Sequence, residues 1–350
     1  MKLLDAARII LYPLSPVYSW VMTVRNKLFD AGVFRQQKVD AKVISVGNLT
    51  VGGTGKTPLV IYITKLLKQS GYNPGVLSRG YGRKGSGYLL VSDGNSIRAG
   101  VQETGDEIYQ TSIECKVPAA VSESRVPGAK KLIEDTGVQT IVLDDAFQHR
   151  WIARDADILI IEQRFLRSRN RLRRSVLPTG MLRESFSGAQ RADIIVLNRK
   201  FSTPKAIPVQ YAKYFAGIPM FTARYRGSGF VDVKTNEVFP VEEFIGQKSL
   251  VISGIANPVS FFSALKLMNI DTSNKMIFKD HFDYNEEEIQ RIRRAFYNAN
   301  THSVITTQKD AVKLKAFEES LDDIDIYYLK IEMVFDDPDG FKKEVLKRIH

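Results

Sequence analysis

From Lys42 onward the chain alternates short apolar runs with stretches of helical periodicity. The runs at 43–46, 140–143, 158–161 and 194–197 are mostly aliphatic or β-branched and brief enough to read as buried strands, with a shorter one at 75–77. Residues 58–69 carry apolar positions at helical spacing and stop at Ser70-Gly71, a helix-ending pair. Leu89, Leu90 and Val91, followed by Asp93-Gly94 and Ile97, predict a hairpin, because Asp-Gly readily takes the positive φ of tight turns. Strands separated by helices imply a mainly parallel sheet with helices on both faces. Beyond Pro219 the pattern changes. Residues 221–225 and 230–233 predict two strands around Gly227 and Gly229. A strand at 250–253, a helix after Gly254 and a strand at 303–306 predict a second α/β unit. Residues 326–331 then run back toward the first unit, and 341–349 form a closing helix. The predicted organisation is an N-terminal segment (1–40), a first α/β unit (41–220), a smaller unit (221–330) and a terminal helix (331–350).

The first forty residues have a different texture. Sixteen uncharged residues separate Arg8 from Arg25, among them Ile10, Leu11, Tyr12, Leu14, Val17, Trp20 and Val21, with Pro13 and Pro16 interrupting them. A spanning helix needs roughly 20 apolar residues, and no small-residue cleavage site follows. Lys2, Arg8, Arg25 and Lys27 flank the segment. Cations beside an apolar stretch rich in Tyr and Trp suit a helix lying in the head-group layer of an anionic membrane; the competing reading is a helix packed on the core.

Composition narrows the field only a little. The chain has 350 residues, 44% hydrophobic and 25% charged, as in ordinary globular proteins. Its formal net charge of +11 favours an anionic partner such as a nucleotide, a nucleic acid, a phospholipid or a phosphorylated substrate. A single cysteine, Cys115, excludes an intrachain disulfide and zinc sites built on several thiolates.

The strongest chemical signal is TVGGTGKT at 50–57. It follows the P-loop spacing, except that Thr50 stands where the first glycine is usual. Gly52, Gly53 and Gly55 let the backbone of Val51 and Thr54 curl so that N–H groups face phosphate oxygens. Lys56 is placed for the β- and γ-phosphates, and Thr57 for Mg²⁺. A strand precedes and a helix follows, with its N-terminal dipole toward the anion and Pro58 in its first turn. The strand at 140–143 ends in Asp144-Asp145, a pattern resembling the carboxylate that holds Mg²⁺ in such sites.

Other residues divide between chemistry and structure. Thr104-Gly-Asp106-Glu107 opens a helix; Thr-x-x-Glu is a capping box that accounts for Glu107 but not for Asp106, which is a candidate base. His149 is either a polar group of the site or a core histidine, and His281 in KDHFDY is either structural or active if the second unit closes over the first. Arg79 follows a strand at the end where such sheets bind ligands. Six arginines between 164 and 174 form either a solvated face or a docking surface for phosphates. Asn198-Arg199 loosely echoes the guanine-reading Asn-Lys of GTPase switches, but no aspartate follows two residues on. A basic module for nucleic acid would leave the P-loop and both acidic stations unexplained.

Taken in order, VGNLTVGGTGKTP (46–58), SRGYG (78–82), GDE (105–107), DDAFQH (144–149), LPTGMLRE (177–184), RAD (191–193), GIANP (254–258), DH (280–281) and TQKDAV (307–312) resemble the tetraacyldisaccharide 4'-kinases. Ala146, Met181 and Ser185 depart from the usual glycine and prolines of that family. The resemblance implies two α/β/α sandwich domains, the first a P-loop NTPase-like sheet, joined by a two-stranded linker. It implies transfer of the γ-phosphate of ATP, with Mg²⁺, to the 4'-hydroxyl of an acylated glucosamine disaccharide 1-phosphate. It implies Asp106 as base with His281 against it, and acceptor contacts from Glu107, Arg125, His149 and Arg183 beside Arg79. It also implies a peripheral enzyme on the cytoplasmic face of the bacterial inner membrane, with no nucleic acid and no obligate protein partner.

Overall fold

The structure is a computed structural model that describes residues 10–255, 257–280 and 282–350. In chain order its helices are α1 (Leu14–Asp30), α2 (Lys56–Gln69), α3 (Val101–Thr104), α4 (Asp106–Cys115), α5 (Arg125–Thr136), α6 (Gln163–Leu166), α7 (Val209–Phe215), α8 (Pro258–Leu267), α9 (Glu286–Asn298), α10 (Gln308–Leu314) and α11 (Pro338–Ile349). Its strands are β1 (Lys42–Gly47), β2 (Pro74–Ser78), β3 (Leu89–Asp93), β4 (Pro118–Val121), β5 (Thr140–Asp144), β6 (Ala156–Glu162), β7 (Ile194–Asn198), β8 (Met220–Asp232), β9 (Val238–Phe239), β10 (Ser249–Ser253), β11 (Asn274–Ile277), β12 (Ser303–Thr307) and β13 (Ile326–Phe335).

All thirteen strands among the described residues belong to one sheet, ordered β11-β10-β12-β13-β8-β7-β6-β1-β5-β2-β4-β3, with β9 beside β8. Period-two alternation explains how the sheet is covered on both faces. In β1, Ile44 and Val46 pack under α2, α4 and α11 with Leu59, Ile63, Ile108 and Phe341. Val43 faces the other way, onto Val126, Ala129 and Leu132 of α5. The second unit repeats the plan: α9 and α10 cover one side through Ile289, Ile292 and Leu314, and α8 covers the other through Phe261 and Leu265.

Two strands cross between the units. β8 pairs parallel with β7 through Met220–Ala223 and then antiparallel with β13, from Ala223↔Phe335 to Tyr327↔Asp232. The other end of β13 pairs with β12. The two strands predicted around Gly227 and Gly229 are therefore one strand of 13 residues. The glycines mark an irregularity in its ladder, opposite Lys330 and Ile331, rather than a break. Gly229 needs its φ of +146°, and a Cβ there would stand 2.7 Å from the Phe239 carbonyl oxygen.

Of the two prolines expected to interrupt the N-terminal run, Pro13 does so: it ends a turn at 11–13 and is the N-cap from which α1 starts. Pro16 falls in the first turn of α1, where a missing N–H removes no intrahelical bond. Two further expectations change. The 89–97 hairpin reduces to a single Ser92↔Ile97 bridge, because Asp93 turns its carboxylate onto the N–H groups of Asn95 and Ser96. Thr104 is not the cap of α4: it ends α3, and Gly105 at φ +88° stands in the cap position.

Candidate functional site

The P-loop joins β1 to α2. Gly52 and Gly55 have φ of +99° and +100°, and space is open where a Cβ of Gly53 would stand. Thr50 keeps an ordinary negative φ and bridges Leu182, so the position that lacks the customary glycine makes no demand for one. Val51 donates its N–H to the Met181 carbonyl at 2.8 Å. Asn48 Nδ2 donates to Thr54 Oγ1 at 2.7 Å. From the end of β7, Asn198 Nδ2 donates to the Thr54 carbonyl at 2.9 Å and to Tyr225 Oη at 3.2 Å, while Lys200 Nζ donates to the Gly53 carbonyl at 2.8 Å. The carbonyls of Gly53 and Thr54 are thus held from outside, but the N–H groups of Val51 and Thr54, expected to face phosphate, are spent on Met181 and on the Gly52 carbonyl at 3.0 Å, so the glycine N–H groups are the ones placed to meet a phosphate. Asn198 is wholly consumed in this scaffold, which removes the guanine-reading alternative.

The acidic station stands beside the loop. Lys56 Nζ lies 3.6 Å from Asp145 Oδ1, and Arg183 reaches the same oxygen at 2.7 Å. Asp145 sits at φ +50°, a left-handed turn straight after β5. Burial works against its charge, but Lys56 and Arg183 outweigh it and hold the carboxyl below its usual range. Asp144 is buried, and its Oδ1 finds no hydrogen-bond partner. Burial, reinforced by Glu107, pushes its carboxyl up to about 7. An orphaned buried carboxylate oxygen that feels the charge of the P-loop's Lys56 suits a divalent cation that also takes phosphate and water ligands. No cluster of three or more acidic, His or Cys residues forms a metal cage among the described residues.

The remaining candidates line the same region. Asp106 is buried on the first turn of α4, with Lys313 Nζ 3.9 Å from its Oδ2. Glu107 does not close a capping box; it reaches across to Lys309 of α10 at 2.7 Å. Arg125 is buried at the start of α5, with its guanidinium on the carbonyls of Ser122 and Asp144. Burial pulls it down to about 10. Burial likewise pulls His149 down to about 4, with Arg125 and other arginines adding to the effect, so the ring is neutral at pH 7. Arg79 is exposed after β2. His281 lies outside the described residues. A cavity of about 930 Å³ opens on the outer side of the P-loop, where Thr50–Thr54 face Arg164, Arg167, Arg169, Arg173, Lys200 and Phe201 from the first unit and Asn257 and Ser260 from the second. Part of the 164–174 arginine run therefore faces this cavity.

The N-terminal helix docks beside the site. Tyr18 Oη donates to the Arg183 carbonyl at 2.8 Å, Asn26 to Glu184 at 2.7 Å, and Ser15 to Thr179 Oγ1 at 2.6 Å. Its other face leaves Leu14, Val17, Trp20 and Val21 exposed. Sequence reasoning had no signal for Lys200 or Tyr225, whose partners are distant in the chain, and Glu184 stood inside a quoted motif without an assigned role. Lys309 stood inside a quoted motif but carried no assigned role.

A family model described as tetraacyldisaccharide-1-P 4'-kinase, LpxK, matches residues 7–350. A tetraacyldisaccharide 4'-kinase of Chlorobaculum tepidum is 34% identical, covering 98% of this chain and 99% of its own. One from Bacteroides thetaiotaomicron is 34% identical over 96% of this chain and 92% of its own. A crystal structure of LpxK from Aquifex aeolicus in complex with ATP is similar at TM-score 0.79 and 30% identity, covering 98% of this chain and all of that one.

Proposed function

Because the chain belongs to the tetraacyldisaccharide-1-P 4'-kinase family, we propose that Asp106 is the base that receives the acceptor's proton in its cleft. The reaction is the ATP-dependent phosphorylation of the 4'-hydroxyl of a tetraacyl glucosamine disaccharide 1-phosphate, a step of lipid A biosynthesis. The observation that carries the base assignment is the burial of Asp106 on the first turn of α4, next to Glu107, whose charge is felt by Asp144 beside the P-loop lysine.

Residues 50–57 cradle the nucleotide phosphates, and the basic cavity beside Thr50–Thr54 takes the rest of the nucleotide. Thr57, Asp144 and Asp145 would hold Mg²⁺, which when bound neutralises charge on the transferring phosphoryl group. Lys56 leaves Asp145 to meet the γ-phosphate, so its cation follows the charge that develops during transfer. Arg183 keeps Asp145 ionised. Arg79, exposed at the mouth, and the neutral His149 meet the acceptor; Arg125 fixes the Asp144 backbone beneath them. Glu107 bounds the acceptor side. His281 is assigned to orient Asp106 on the strength of its motif.

In this reading residues 41–220 form the kinase unit and 221–330 the unit that closes over it; 331–350, expected as the terminal helix alone, also carries the end of β13 before α11 begins at Pro338. The segment 1–40 rests on an anionic membrane surface at the cytoplasmic face of the bacterial inner membrane. What supports this is the exposed apolar face of α1, whose polar face is pinned next to Arg183. No described helix is long and apolar enough to cross a membrane. The reading requires neither nucleic acid nor an obligate protein partner.

The test is phosphorylation of tetraacyl disaccharide 1-phosphate in mixed micelles by wild type, Lys56→Ala and Asp106→Ala. A positioned base contributes roughly 10²–10⁴-fold, so Asp106→Ala should lose that factor in kcat while still binding ATP. Loss of ATP binding in Asp106→Ala would remove the base assignment.

A further inference from the structure

The second unit reaches the kinase unit through α10, and it does so with charge. Thr307 caps this helix by accepting from the Asp310 N–H at 3.3 Å. Asp310 is itself buried, taking the Gly254 N–H at 3.0 Å and the Tyr284 hydroxyl at 3.1 Å. The helix is therefore seated firmly in its own unit. Its outer face carries Lys309 and Lys313, four residues apart and so side by side. They meet the two carboxylates that open α4: Lys309 lies 2.7 Å from Glu107, and Lys313 lies 3.9 Å from Asp106. Gln308 completes the seam, accepting from Gln110 at 2.8 Å and donating to Glu114 at 2.8 Å. Glu114 also receives Lys65 of α2 at 2.9 Å.

We propose that Lys309 is a positioning residue for the reaction: its pairing with Glu107 fastens the second unit onto the helix that begins at Asp106. This rests on the reading of Asp106 and Glu107 given above. Two arguments support it. This seam joins the units at the end of α4 where Asp106 stands, so the spacing there depends on it. Moreover, Asp106, Glu107 and Asp144 concentrate negative charge where two phosphorylated substrates must approach. Lys309 and Lys313 offset that charge, and they are delivered by the second unit only when the seam is made. The Lys309 and Glu107 side chains each keep about a quarter of their surface exposed (28% and 27%). With about three-quarters of each side chain covered, the pair bears on folding as well as on geometry, so Tm is measured beside the rate to tell the two apart.

The test compares full-length wild type, Lys309→Met and Lys309→Arg for kcat, acceptor KM, equilibrium ATP affinity and Tm. Misplacing reacting groups by about an ångström costs roughly 10²-fold, so Lys309→Met should lower kcat by about 10–100-fold. ATP affinity should be unchanged at temperatures well below Tm, and Lys309→Arg should recover most of the rate. Spin labels at Ile97→Cys and Tyr297→Cys, both exposed and in different units, report the seam directly. Lys309→Met should lengthen and broaden their distance distribution, and Lys309→Arg should not. A Lys309→Met enzyme turning over at the wild-type rate would overturn the proposal, as would ATP affinity falling in step with kcat. Asp106→Asn is assayed in parallel: full activity there would remove the base assignment, and the Lys309 variants would still decide the positioning role.

Discussion

Asn198, at the end of β7, holds the carbonyl oxygen of Thr54 at 2.9 Å, and so fixes the P-loop from a strand some 140 residues further along the chain. Both residues are buried. Asn198→Ala leaves that carbonyl without its donor, a loss of about 1–3 kcal/mol when a buried group is orphaned. ATP affinity should fall by roughly tenfold or more, since about 1.4 kcal/mol is a factor of ten. Calorimetric titration with ATP checks this, and acceptor KM should stay within about twofold.

Gly105 precedes the proposed base at φ +88°, and a Cβ there would stand 2.9 Å from the Tyr81 carbonyl oxygen. Neither the backbone strain nor that contact is relieved by a side-chain movement. Gly105→Ala should therefore displace Asp106 and lower kcat by about 10²-fold while ATP binding persists. Single-turnover transfer beside ATP titration separates the two effects.

The apolar face of α1 carries Trp20 at 66% exposed and Val17 at 59%. Replacing both with Ser should release the protein from vesicles containing anionic lipid in a sedimentation assay. Tm should barely change, because the helix is anchored by Ser15, Tyr18 and Asn26 on its other side. Turnover of acceptor embedded in vesicles should fall, while turnover of a short-chain soluble acceptor should not.

Burial lowers His149 to about 4 in the folded chain, against an unfolded value near 6.5. Between those values the unfolded state binds more protons than the folded one. The stability contributed by neutral His149 is thus present above about pH 6.5 and is lost as pH falls toward 4. His149→Gln should show a shallower loss of Tm across that window. In wild type the ring should not titrate above pH 5.5 by proton NMR.

Much of this was legible in the sequence because the informative features are local. The P-loop needs only spacing and glycine, and Asp144-Asp145 needs only a strand that ends there. Strands such as β6 and β7 announce themselves by unbroken aliphatic runs. β4 does not: Pro118, Ala119 and Ala120 have weak strand preference, and its place is set by neighbours β2 and β3. β11 was hidden for a different reason. It is an edge strand whose Lys275 and Met276 alternate between exposed and half-buried, without an apolar run. Glu107 shows the limit of local motifs: Thr104 and Glu107 have capping-box spacing, yet the glutamate's partner is Lys309, 202 residues away. Asn198, Lys200 and Tyr225 are invisible for the same reason, since each acts on a loop that is remote in the chain.

The β8–β13 ribbon has a mechanical consequence. A two-stranded ladder flexes across its broad face and twists, but it resists shear within its own plane, where every hydrogen bond would have to slip at once. Its irregularity opposite Gly227 and Gly229 is the place where that flexure is easiest. If the second unit swings on this ribbon, as the proposed closure requires, the motion would reduce to nearly a single coordinate that returns α10 to the same register on α4 each time. A flexible loop in the ribbon's place would let the two units meet in many ways, and the lysines would have to find their carboxylates by search.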